Sequence, residues 1–279
     1  MKKSVVVAAA ALAALVGGVS VAAADNETAT INYNVKGSFS PKKFKPAKLS
    51  WGLNLSAPTT SPIVLPMKLA KQTFPTNKVM QFVPAKGLPV CKATSAALSA
   101  APEVVLRDSG CANSLIGNGN ANFRLLQINR DDAFRNGTVL IFYGGKVGKN
   151  VKIRFSAYSY DTGAAVYAEG ILKPDGKMDI AMPQLTGDSS VTMLQLAIPS
   201  TRFQTTWPVK NSSGVQTGSV NVDLPAGVPK AKTFVQVKCR MGQKLNFAST
   251  FELGKRNTAG VPTGPTTTIS AKSSSKCGK

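Results

Sequence analysis

The side chains best equipped for chemistry are four thiols, Cys91, Cys111, Cys239 and Cys277, and a lysine-rich run made by Lys36, Lys42, Lys43, Lys45 and Lys48. Thiols either hold a metal or pair with each other. Tetrahedral zinc sites draw on C-x-x-C pairs and histidines, and this chain has neither. An even number of cysteines in an exported chain reads instead as a disulfide framework. Of the possible connectivities, proximity favours Cys91 with Cys111 and Cys239 with Cys277. On chain-entropy grounds these loops restrain the unfolded state by about 3 and about 4 kcal/mol.

The missing histidine narrows the chemistry further. Ser-His-Asp and Cys-His relays, H-E-x-x-H metal sites and imidazole general bases are all excluded. Ser40 with Lys43 and Ser273 with Lys276 satisfy S-x-x-K, the serine–lysine pattern of penicillin-recognising enzymes, but the S-D-N and K-T-G partners are absent. The only adjacent acid pair, Asp131–Asp132, lies beside Arg130 and Arg135 and reads as a salt-bridged turn or, without a D-x-[DN]-x-[DN]-G spacing around it, an incidental calcium ligand. Two carboxylates about 5 to 9.5 Å apart could still hydrolyse a glycosidic bond, so a carboxylate-based glycan hydrolase is the enzymatic alternative. The sequence otherwise marks no catalytic residue, no metal ligand and no cofactor, and a non-catalytic role is expected.

Gly117-Asn118-Gly119-Asn120-Ala121 looks superficially like a phosphate-cradling loop. A dinucleotide fingerprint needs glycine or alanine at position 122, which is Asn122, and a helix after it, where Phe123–Ile128 reads as strand. A structural turn is expected here.

Charge is the remaining signal. Between Glu27 and Glu103 stand ten lysines and no acid, and from Leu224 onward ten basic residues face the single Glu252. The stretch from Glu103 to Asp223 is nearly balanced, with 12 basic and 10 acidic residues. Lysine outnumbers arginine at both ends, which suits diffuse attraction to phosphate-rich envelope polymers or anionic lipid surfaces better than bidentate recognition. Lys36, Lys42, Lys43, Lys45 and Lys48, interleaved with Phe39 and Phe44, are the candidate polyanion-binding residues. No helix-turn-helix, finger or RNP pattern points to specific nucleic-acid reading. An inert structural surface protein is the second alternative.

These residues need a scaffold, and the first 24 residues say where it works. Lys2 and Lys3 precede the apolar run Val5–Val16, and Ala22-Ala23-Ala24 offers an A-x-A cleavage pattern before Asp25, the layout of a secretory signal peptide. Without Lys2 and Lys3 the 34 basic residues become 32 against 13 acidic ones, a net charge of +19. No later apolar run is long enough to cross a membrane as a helix. A secreted or outer-surface protein is expected, with 1–24 as leader and 25–279 as one domain.

Period-2 alternation dominates that domain. Ile31, Tyr33 and Val35 alternate with polar residues, as do Leu49, Trp51, Leu53 and Leu55, then Val151, Ile153, Phe155 and Ala157. Ala165–Leu172 and Met178–Met182 read as a hairpin about Pro174-Asp175-Gly176, where Asp-Gly supplies positive φ values. The expected fold is an all-β, antiparallel, jelly-roll-like sandwich. One short helix, Ser95–Ala101, is capped by Thr94 and ended by Pro102 inside the first cysteine loop. Asp223–Lys232, with Pro225, Gly227 and Pro229, is the one possible minor boundary, within 223–232.

At Cys91 and at Cys111-Ala112-Asn113-Ser114-Leu115-Ile116-Gly117-Asn118-Gly119-Asn120-Ala121 the chain resembles a group of exported β-rich proteins of high-GC Gram-positive bacteria. Their pattern is a cysteine, a short helix, a C-P-x-x-S-x-I-G-x-G-x-A run and a late cysteine pair. Ala112 stands where the group favours proline. The resemblance implies a β-sandwich and export, and no mechanism.

Overall fold

Alternating inward and outward side chains shape nearly every element of the computed structural model, which describes residues 20–21, 27–56, 64–125, 134–182, 189–210, 216–255 and 263–278. The strands are β1 (Ser20–Val21), β2 (Thr28–Gly37), β3 (Lys45–Ser56), β4 (Met67–Thr73), β5 (Met80–Phe82), β6 (Leu115–Leu125), β7 (Phe134–Val147) and β8 (Asn150–Ser159). They continue with β9 (Ala165–Leu172), β10 (Lys177–Ala181), β11 (Ser189–Ile198), β12 (Thr206–Lys210), β13 (Gln216–Asn221), β14 (Val235–Val237), β15 (Lys244–Leu253) and β16 (Thr267–Lys276).

One antiparallel sheet runs β16-β15-β4-β10-β9-β8-β7-β6-β11-β3, with β2 paired to β3 beyond it. It curls into a sandwich closed on itself, because β2 lies alongside β16. No backbone ladder forms there. Instead the Tyr33 amide donates to Ser273 Oγ at 3.2 Å and the Val35 amide to Ser275 Oγ at 3.0 Å. Partner numbers rise together, so this seam is parallel. Ser20–Val21 pairs with Lys272 and Ala271 of β16. The rest of the expected leader 1–24 lies outside the described residues. After Asp223–Lys232, β14 pairs with β3 and β5, and β15 with β4 and β16, so these strands join the same sheet.

Two outer layers cover one wall. Disulfide Cys91–Cys111 closes a segment whose Leu98, Val105 and Leu106 bury Leu140 and Phe142 of β7. The β12–β13 hairpin brings Trp207 over Ala197 of β11. Both faces of β7 are thus covered, which explains the unbroken buried run Val139–Tyr143. Arg154 of β8 holds the Cys91 segment down, its Nη1 donating to the carbonyls of Cys91 and Ala93 at 3.1 and 2.6 Å. The second disulfide, Cys239–Cys277, ties the chain after β14 to the end of β16.

Three local expectations change. The helix of the first cysteine loop, α1, spans Pro102–Asp108 and begins where it was expected to end. Thr94 does accept from the Ala97 amide, at 3.2 Å, but caps only a turn. Ala101 before the proline takes extended backbone, φ −58° and ψ 144°, and Pro102, lacking an N–H, opens the helix. In the β9–β10 turn only Gly176 has positive φ, at 86°, with its amide donating to the Lys173 carbonyl. That is the geometry of a type I turn followed by a glycine bulge rather than a primed turn. The Gly117–Ala121 run is the interior of β6, not a turn. A Cβ on Gly119 would lie 2.0 Å from the Gln195 carbonyl oxygen and one on Gly117 2.4 Å from that of Ala197, so both glycines serve the close approach of β11.

Candidate functional site

The hairpin β2–β3 places the first lysines. Lys36 and Lys48 are direct cross-strand partners, and both project outward because Val35, Ala47 and Leu49 point into the core. Across the seam, β15 and β16 pair Lys244 with Lys276 on the same outward face. Val35 and Ser275 are neighbours over that seam, so Lys36 and Lys276 stand side by side. Lys48, Lys36, Lys276 and Lys244 therefore form one row across four successive strands, β3, β2, β16 and β15.

Local interactions fix its members. Lys48 is half-buried and donates to Gln204 Oε1 at 3.0 Å. Burial, and then the charge of Lys36, hold its ammonium below the ordinary lysine value. Gln204 is itself held by the fully buried Asn118, whose amide donates to the Gln204 carbonyl. An asparagine of the glycine-rich run thus positions a lysine of the row. The Cys239–Cys277 bridge follows Lys276 directly and brings Lys238 and Arg240 close to the same end of the sandwich. Lys238 sits 5.2 Å over the ring of Phe44.

Of the residues singled out from sequence, Lys36 and Lys48 join the row. Lys42 and Lys43 are exposed in the β2–β3 loop, where both backbone amides donate to Ser40 Oγ at 3.3 and 3.4 Å. That bond occupies Ser40 with a turn. Lys45 is half-exposed at the start of β3, opposite Val237. Phe39 packs on the core and Phe44 carries Lys238, so both aromatics anchor the loop. Sequence reasoning missed Lys244, Lys276, Gln204 and Asn118. Their alternation marks a face, but nothing local reveals that β16 lies beside β2, 240 residues away.

Acidic groups of the described residues are engaged elsewhere. Among the described residues the ion pairs involve Lys71 with Glu252, Arg107 with Asp108, Lys152 and Arg154 with Glu169, Lys173 with Asp179 and Lys177 with Asp175. None includes a lysine of the row. Asp131 and Asp132 lie outside the described residues. At Glu169, burial raises the carboxyl, but hydrogen bonds from Tyr167, Lys152 and Arg154 and the Lys152 charge outweigh it, leaving the group below its ordinary value.

Inside, the sandwich is filled unevenly. Around Tyr33 the rings interlock: Phe247 stacks on it at 4.4 Å and 2°, Phe74 meets it edge-on at 6.0 Å, and Phe82 meets Phe74 at 4.9 Å. This plug lies under the lysine row. Toward the other end, where β3 finishes and β4 begins, a cavity of about 80 Å³ remains among nearly all-apolar walls. Among the described residues no helix is long and apolar enough to cross a membrane, and no cluster of His, Cys, Asp or Glu could hold a metal ion. Against known proteins, the chain matches no family model, no curated protein and no solved structure.

Proposed function

We propose that this is an exported, non-catalytic protein that binds an anionic polymer of the cell envelope along Lys48, Lys36, Lys276 and Lys244. The observation that carries the reading is the row itself. Four like charges on adjacent strands repel one another, and like charges directly opposite on paired strands destabilise a sheet. A fold that gathers them from both ends of its chain, with no ion pair to any of them among the described residues, gains a continuous cationic track at that expense. Lysine's compact, mobile charge suits a repeating phosphate polymer that needs no fixed orientation. Export is supported by the Lys2–Ala24 leader pattern together with two disulfides, which persist in oxidising compartments.

The test is binding of the folded protein to a polyphosphodiester wall polymer and to vesicles of anionic lipid, each titrated with salt. Engagement of four phosphates by the row gives a slope of log affinity on log salt of about −3 to −4. Replacing Lys36, Lys48, Lys244 and Lys276 by glutamine weakens polymer binding by about a hundredfold or more. The control variant, with Lys146, Lys149, Lys173 and Lys177 replaced, loses equal charge from another wall and binds nearly as wild type. Equal losses in both variants, or no dependence on salt, would reject the row as the site. Vesicle binding stronger than polymer binding would replace the polymer by a lipid surface.

A further inference from the structure

The interior cavity has a chemical asymmetry that a packing defect would lack. Its walls include four small residues on strands that could carry large ones, Ala70 of β4, Ala121 of β6, Ala157 of β8 and Ala168 of β9, set among larger apolar side chains such as Trp51, Phe155 and Phe251. The neighbouring half of the same interior is filled by five interlocked rings, Tyr33, Phe74, Phe82, Phe234 and Phe247. The space is therefore set by side-chain choice. Its floor is polar. Gln72 Oε1 accepts from the Tyr33 hydroxyl at 2.5 Å and from the Ser249 hydroxyl, and these three residues are 7%, 2% and 1% exposed. Both hydroxyl protons find an acceptor only with the amide oxygen turned toward them, which turns Gln72 Nε2 away from them. That nitrogen makes no hydrogen bond among the described residues, and Gln72 is one of the residues lining the cavity.

We propose that this cavity binds a compact apolar molecule carrying one carbonyl oxygen, its hydrocarbon body against the alanine walls and its oxygen accepting from Gln72 Nε2. Apolar cavities of comparable size take up small hydrocarbons, and a well-placed polar group in such a wall fixes the orientation of the guest. Tyr33 and Ser249 are positioning residues: by saturating the amide oxygen they aim the amide nitrogen. The lysine row plays no part, so this site stands or falls separately from the polymer reading.

The test compares butanone with 2-methyl-1-butene, which replaces the carbonyl oxygen by a methylene of similar shape. Each is titrated into the full chain, with the methyl resonances of Val166 and Leu196 as readout. Wild type binds both, with shifts confined to residues lining the cavity. Gln72→Leu weakens butanone by about three- to tenfold, one hydrogen bond's worth, and leaves the alkene unchanged. Ala168→Leu fills the space and abolishes both; Ala121→Val serves the same purpose should that variant not fold. Neither compound shifting the cavity methyls, an equal effect of Gln72→Leu on both, or undiminished binding in the filled variant would overturn the proposal.

Discussion

The two ends of this sandwich are built on opposite plans. At one, the interior is packed with aromatic rings, a disulfide clamps the strand ends, and the surface carries a row of lysines that join no ion pair among the described residues. At the other, a cavity remains among alanines and larger apolar residues, with the Gln72 amide and its two hydroxyl partners on its wall. The difference shows how one sheet divides its labour. Electrostatic repulsion along the row must be resisted by a rigid support, and ring stacking with a covalent tie supplies it. A cavity costs stability, and it lies in the half of the interior away from that repulsion. The expected consequence is that substitutions which shrink side chains are costly at the filled end, while substitutions which enlarge them are tolerated at the other.

The sharpest way to break that contrast is Phe247→Ala. It removes the ring stacked on Tyr33, and buried Phe→Ala changes cost about 3 to 5 kcal/mol. Urea unfolding measures it; a cost below that of an ordinary surface change would show that the plug does not support the row. Next comes the Cys239–Cys277 bridge. Replacing both residues by alanine is expected to cost about 2 to 4 kcal/mol and to weaken polymer binding, because Lys276 adjoins the tie. Removing Cys91–Cys111 should lower stability comparably and leave polymer binding intact, since that segment covers β7 rather than the row. Equal effects of the two bridges on polymer binding would erase the distinction between the ends.

Much of this fold was legible as alternation. The inward set Leu49, Trp51, Leu53 and Leu55 and the hairpin about Asp175–Gly176 stand where period-2 reading puts them, because each depends on neighbours a few residues away. Both disulfides join the nearest cysteines for a similar reason. The helix was misplaced since Pro102 reads equally well as a stop or a start, and the choice depends on Leu98, Val105 and Leu106 reaching β7. The glycine-rich run misled for another reason: glycine marks a turn by its freedom but Gly119 is present for its smallness, which only the Gln195 backbone opposite explains. The lysine row was half-legible. Charge patterning shows that both ends of the chain are basic, yet the seam that joins them is made by Ser273 and Ser275 hydroxyls, a contact no periodicity encodes. The cavity left no local signal, because its alanines sit on four different strands.

Enlarging the cavity wall sharpens the contrast from the other side. Ala168→Val adds two carbons facing empty space on a strand that favours β-branched residues, and is expected to raise stability by about 1 kcal/mol. Thermal unfolding reads the sign directly, and a loss would mean that the cavity is held open against its own collapse. At the cationic end a single change should be smaller in stability and visible in binding: Lys36→Gln removes one charge from the row and flattens the salt slope of polymer binding by about 1. It should also let the Lys48 ammonium return toward its ordinary value, since Lys36 is one of the two causes that lower it.

The smallest effect concerns the wall that joins the two ends, where Glu169 ties β8 and β9 and, through Arg154, the Cys91 segment. Its folded carboxyl titrates below its ordinary value of 4.5, so the folded state binds fewer protons there than the unfolded chain. The stability it contributes is fully present above that ordinary value and is lost as pH falls through the lower folded one. Wild type should therefore lose more thermal stability between pH 6 and pH 3 than Glu169→Gln, whose amide cannot titrate. Because the group is about one-third exposed, solvent screening keeps the difference modest. The lysine row and the cavity, which share no titrating group with Glu169, should respond alike in both proteins. If acidification instead weakened polymer binding only in wild type, the wall would be coupling the two ends, and their independence would have to be given up.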